Sequence, residues 1–183
     1  MQAFIQGVNM FWAVMTVIAN ALSIGLIVAF FVPAVRDSSF GRFFQNQGMV
    51  VAFIVALCAT IGSLGYSDVI GYEPCKLCWF QRICMYPQVV ILGLGLLRKD
   101  LSARTSALWL SVVGALIGAY HYVGQIGFNP LGLDCLAVGY SASCSKSFVL
   151  ELGYVSIPMM ALSAFVLIIL SLVWYSRSSI SAQ

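Results

Sequence analysis

Two cysteines of this 183-residue chain, Cys75 and Cys78, sit in the run Glu73-Pro74-Cys75-Lys76-Leu77-Cys78-Trp79-Phe80-Gln81-Arg82. Thiols at Cys-x-x-Cys spacing can close and reopen a disulfide or hold a metal ion. This pair lies where a short polar turn runs into an apolar helix, and Arg82 follows Cys78 at i+4, on the same helical face. A helix N-terminus and a nearby cation both favour the thiolate, the form that attacks disulfides and other electrophiles. The plain alternative is a static disulfide or a pair of buried thiols. For a helix starting near Cys78, Arg82 lies about 6 Å deeper. There it either snorkels to the headgroups or acts as the cation that stabilises a thiolate and polarises an electron acceptor.

Cys135 and Cys144 form a second pair in a later loop. Alone they could staple that loop. With Cys75 and Cys78 they allow either a four-thiolate zinc site or a relay of disulfides by exchange. Their separation is not the tight zinc-knuckle pattern, and an oxidising compartment disfavours thiolates waiting for metal, so the relay is preferred and no metal site is assigned. The lone histidine, His121, stands in Tyr120-His121-Tyr122 with Gln125 one turn on, about 8 Å from the end of its span and level with Arg82. It is either a hydrogen-bonded packing residue or, with Arg82, part of a polar spot beside Cys78. That spot would suit a flat, oxygen-bearing, lipid-soluble redox molecule. Cys58 and Cys84 fall inside apolar runs and are expected to serve packing.

The surrounding chain is 61% hydrophobic and only 8% charged, where a soluble domain carries about a quarter charged residues. This is the composition of an integral membrane protein. A net charge of +3 without a basic run gives no footing for nucleic acid. Five apolar stretches approach the 20 or so residues that span hydrocarbon: Val8–Val32, Gly48–Tyr66, Trp79–Leu97, Ser106–Ile126 and Ile157–Tyr175. The first resembles a signal peptide at Ala19-Asn20-Ala21 but lacks a basic n-region and runs on to Val32, so it reads as a retained helix. Arg36, Arg42, Arg98, Lys99, Arg104 and Arg177 fall on one side of a five-span chain, and Lys76 and Lys146 on the other. The richer side is the cytoplasmic one. The N-terminus and both cysteine loops then face out, and the C-terminus faces the cytoplasm. Gly114 and Gly118 offer a small-residue face for close helix packing.

Pro74-Cys75-x-x-Cys78 with Gln81-Arg82 behind it, and a second outer cysteine pair ahead of a last helix opened by Gly153–Pro158, resembles the bacterial DsbB/BdbC family. The resemblance covers roughly Gly48 to Tyr175. Vitamin K epoxide reductases also set a Cys-x-x-Cys beside a quinone, but typically after the loop cysteines, whereas here it comes first. The resemblance implies an all-α, polytopic membrane protein of the bacterial cytoplasmic membrane. Its core would be a four-helix transmembrane bundle, residues 48–183, preceded by an extra N-terminal transmembrane helix and its connection, residues 1–47. It implies a thiol oxidase that reoxidises an extracytoplasmic, DsbA-like thioredoxin-fold partner and delivers the electrons to a membrane quinone, ubiquinone or menaquinone. By resemblance Cys78 adjoins the quinone and Cys75 is its exchange partner. Cys135 is the target of the reduced partner protein, Cys144 passes electrons to Cys75, and Arg82 and His121 support the quinone. The extra helix departs from the family's four-span plan, and the Cys135–Cys144 loop is short beside those of the best-known members. The rival from another class is a non-catalytic membrane scaffold with stapling disulfides or a four-cysteine zinc site. A transporter fits less well, because the polar groups cluster at one end instead of lining a path.

Overall fold

In hydrocarbon every backbone N–H and C=O must be bonded within its own segment, so the apolar runs can only be helices. The computed structural model describes residues 1–127 and 149–181, with side chains through Tyr175. Cys135, Cys144 and Lys146 therefore lie outside the described residues. Six helices occur among those described: α1 (Gln2–Phe31), α2 (Pro33–Arg36), α3 (Ser39–Leu64), α4 (Lys76–Arg98), α5 (Ser102–Gln125) and α6 (Ile157–Ser181). All but α2 carry a stretch long and apolar enough to cross a membrane. The protein is thus all-α and multi-pass.

Local chemistry sets the breaks. Val32 is extended (φ −110°, ψ 105°), as a residue before proline tends to be, and Pro33 opens α2 where its missing N–H costs nothing. Helix α3 starts at Ser39, well before the expected Gly48, because Gln45-Asn46-Gln47 lowers hydropathy without breaking a helix. It ends in a wider π turn, Gly65–Val69. Lys99 reverses the chain in the left-handed region (φ 54°), and the Asp100 carboxylate accepts the Ser102 N–H and hydroxyl, both at 2.8 Å, to start α5.

Helices α3 to α6 form the four-helix bundle, each packed on its neighbours in chain order, with α6 closing back on α3. Small side chains on α3 (Ala52, Ala56) and α5 (Ala103, Ala107) let each of these helices pack closely on its neighbours around Met85, Leu92, Phe165 and Ile168. The expected Gly114/Gly118 face does this work. The Phe165 ring fills the space a Cβ on Gly114 would need, and Leu162 lies against Gly118. Two buried polar side chains satisfy each other in this core: Ser111 Oγ donates to Gln88 Oε1 at 2.9 Å, while the Gln88 amide donates to the Cys84 carbonyl at 2.9 Å. Helix α1 packs outside the bundle, chiefly on α6, where Leu26 and Ala29 bury against Leu167 and Trp174. Its other half leans toward α3, with the Trp12 ring about one contact distance from Gly62.

Candidate active site

Cys75 is the N-cap of α4, so the helix starts at Lys76, two residues earlier than a start near Cys78 would put it. Its backbone is extended (φ −70°, ψ 171°), and its Sγ accepts the Cys78 N–H at 3.4 Å. A sulfur in this position faces the unpaired amides and the positive end of the helix dipole, as capping oxygens do. Cys78 stands one turn on with its Sγ 2.9 Å from that of Cys75, too far for the 2.03–2.05 Å of a covalent bond. Both are free thiols here, Cys75 buried and Cys78 half-buried. The hydrogen bond from Cys78 holds Cys75 down at about 4, from an ordinary 9.0, against the opposing effect of burial. His121 contributes in the same direction. In the dithiol the negative charge therefore rests on Cys75.

His121 reaches this pair from the end of α5. Its Nε2 is 3.6 Å from Cys75 Sγ, and its Nδ1 is 2.9 Å from the side-chain nitrogen of Gln81. An amide N–H donated to Nδ1 leaves the ring proton on Nε2, facing the sulfur. All three side chains are buried. His121 thus meets Cys75 directly, and its donor atom lies within 4.8 Å of both sulfurs, in the polar spot that was one of the two expectations for it. From the sequence Gln81 enters only as part of the motif, with no role given to it. The available signal was an amide side chain one turn after a cysteine inside a lipid-embedded helix, which needs a partner.

Arg82 lies six residues into α4, about 9 Å along the axis. It does not run free to the surface. Its Nη2 donates to the Ser63 carbonyl of α3 at 3.0 Å, its guanidinium sits 5.4 Å from the Trp79 ring centroid, and Tyr86 Oη donates to Ser63 Oγ at 3.2 Å. Ser63 thus ties the arginine and the tyrosine to one point of α3. Cys84 packs in the bundle core as expected. Cys58 does not: it is exposed on α3 and lines a cavity beside α1.

These groups open on one cavity of about 430 Å³. Cys75, Cys78, Gln81, Arg82, His121 and Gln125 gather at one part of its wall, and the remainder is almost wholly apolar, with α1, α3 and α6 contributing. Three kinds of chemistry are open to this arrangement. The dithiol can be oxidised to a disulfide. The donor atoms of Cys75, Cys78 and His121, all within 4.8 Å of one another, could share a soft metal ion. The cavity could take a flat apolar molecule whose oxygens accept hydrogen bonds from the polar part of the wall.

Residues 45–175 match the family described as "Disulfide bond formation protein DsbB". Among curated proteins, the chain is 39% identical over 120 residues to the "Probable disulfide formation protein C" of Halalkalibacterium halodurans, covering 66% of this chain and 86% of that protein. It is 40% identical over 122 residues to a "Probable disulfide formation protein" of Oceanobacillus iheyensis, covering 66% and 82%. It is 37% identical over 124 residues to the "Disulfide bond formation protein C" of Bacillus subtilis, covering 67% and 87%. No solved structure matches the chain.

Proposed function

Since the chain belongs to the DsbB family of disulfide bond formation proteins, whose chemistry is the oxidation of thiols, we propose that it is a membrane thiol:quinone oxidoreductase that reoxidises a thioredoxin-fold dithiol protein outside the bacterial cytoplasmic membrane. The observation that carries this reading is a reactive Cys75–Cys78 pair opening directly onto a largely apolar cavity with Arg82 in its wall. A pair that served only as a staple would have no use for a capped, ionised sulfur or for the space beside it.

In this reading the partner's thiolate attacks the Cys135–Cys144 disulfide, and a second exchange leaves the partner oxidised and both loop cysteines reduced. Cys144 then attacks Cys75 of the Cys75–Cys78 disulfide. The S–S bond breaks, a Cys75–Cys144 bond forms, and the electron pair goes to Cys78. Attack of Cys135 on Cys144 frees Cys75. The helix N-terminus and His121 stabilise Cys75 as it departs, since a low-pKa thiol leaves faster. Each round brings two electrons and two protons to the pair.

The residues present fit a quinone: Arg82 and Gln125 offer donors to ring oxygens, and the apolar wall suits a ring and tail. Bound there, a quinone supplies the two-electron, two-proton acceptor that restores the Cys75–Cys78 disulfide. Cys78, released while Cys75 is tied to Cys144, is the sulfur left facing the cavity. Arg82, held by Ser63, keeps a fixed positive charge at that wall. The apolar lining keeps water and stray thiols out.

The test is anaerobic turnover with a reduced dithiol partner and a quinone, followed by quinone absorbance. Cys75→Ser and Cys78→Ser should each abolish it, and Arg82→Ala should mainly raise the apparent KM for quinone. Turnover that survives either cysteine change overturns the assignment. A second reading rests on the Cys75, Cys78 and His121 donor set, a scaffold clamped by zinc. It requires stoichiometric metal in the purified protein and no quinone-dependent turnover.

A further inference from the structure

Helix α1 lies wholly outside residues 45–175, the part of the chain that matches the family, yet it walls the cavity. Phe11, Trp12, Met15, Ala19 and Leu22 of α1 all line it. Phe11 to Leu22 covers about 17 Å of helix axis at 1.5 Å per residue. Two features hold this stretch in place without filling the space behind it. Toward the N-terminal end, the Trp12 ring closes on Gly62 of α3, where a Cβ would stand 3.0 Å from it. Toward the other end, Phe40 sits 3.3 Å from where a Cβ on Gly25 would be, and Leu26 and Ala29 are buried against α6. Between these two fastenings the α1 wall is Met15, Thr16, Ile18, Ala19 and Leu22, and Ile54, Val55 and Cys58 of α3 line the same cavity. Ala19 is the smallest of these. The cavity is therefore two-part: donors and sulfurs at one part, and an apolar slot beneath α1 at the other.

We propose that α1 is the specificity wall for the electron acceptor, its Met15–Leu22 segment enclosing the apolar tail of a quinone whose ring lies beside Cys78 and Arg82. The inference rests on the quinone reading above and adds to it which part of the chain selects among tailed and tail-free acceptors. A slot enclosed by protein desolvates a tail and fixes its direction, so discrimination by tail should depend on α1 while discrimination by ring should depend on Arg82.

The test uses the full-length oxidised protein in lipid nanodiscs and a benzoquinone bearing an alkyl tail that ends in a diazirine. Photolysis followed by peptide mass spectrometry should place adducts within Phe11–Leu22, and an excess of tail-free benzoquinone should suppress them. Ala19→Phe, which fills the slot, should cut those adducts at least tenfold, and the milder Ala19→Leu at least threefold, in protein whose melting temperature is shown to be retained. Adducts that benzoquinone suppresses but that lie only on α3 to α6, or that ignore both Ala19 variants, overturn the role of α1 and leave the quinone site standing. Labelling of α1 that tail-free benzoquinone fails to suppress, matched by a ring-free alkyl diazirine, means that a lipid chain occupies the slot. That result overturns the quinone reading together with the inference.

Discussion

At the scale of single residues the decisive feature is where the negative charge sits. With Cys75 held at about 4, its anion persists above that pH and is lost only as pH falls through it. In reduced, metal-stripped protein, alkylation of Cys75 by iodoacetamide should therefore be nearly flat from about pH 8 down to about pH 5 and fall below that. An ordinary thiol loses about tenfold in rate per pH unit over the same range. A Cys75 profile that climbs through neutrality would contradict the capped-thiolate geometry. His121→Ala removes a group that lowers this value, so the profile should move to higher pH. Gln81→Ala should move it in the same direction by freeing the ring to turn.

At the scale of elements, packing predictions separate fold from site. Ser111→Ala strands the Gln88 amide oxygen in the bundle core and should cost about 1 kcal/mol, while Ser111→Ala with Gln88→Leu should recover most of it, measured by thermal unfolding in detergent. Gly114→Val would push into the Phe165 ring and should destabilise by about 1–3 kcal/mol without altering the Cys75 alkylation profile. Much of this level was legible in the chain. Five apolar runs gave five long helices, and the Gly114/Gly118 spacing marked a close contact. Cys75, Cys78, Arg82 and His121 were singled out by their types and spacing, and all four line one cavity. Three things were not legible: the Gln81–His121 bond, the Ser63 anchor for Arg82, and the α1 side of the cavity. Each depends on which way a helix is turned about its axis. Helices apolar on every side, with lipid outside and apolar protein within, carry no polar stripe to reveal that turn. The same cause explains Cys58, since hydropathy cannot tell a cavity-lining position on α3 from a packed one. The early start of α3 was hidden for a different reason, since polar residues at a span's end lower hydropathy without stopping a helix.

At the scale of the whole molecule, the account needs the cysteine end of the bundle outside the cell and the Lys99–Arg104 turn inside. In a background lacking all six native cysteines, Glu73→Cys should react with a membrane-impermeant maleimide applied to intact cells, and Lys99→Cys only after lysis. The reverse pattern would place the site on the reducing side, where a standing disulfide relay does not fit. The most direct measurement needs no partner protein at all. Reduced, metal-free Cys135→Ser/Cys144→Ser protein, which holds only the Cys75–Cys78 couple of the relay, is mixed anaerobically with one equivalent of quinone, and quinone absorbance is followed alongside trapping of free Cys75 and Cys78. The account predicts that quinone is consumed one-for-one as both thiols become unreactive. Quinone left unconsumed, with both thiols still open to alkylation, would contradict it.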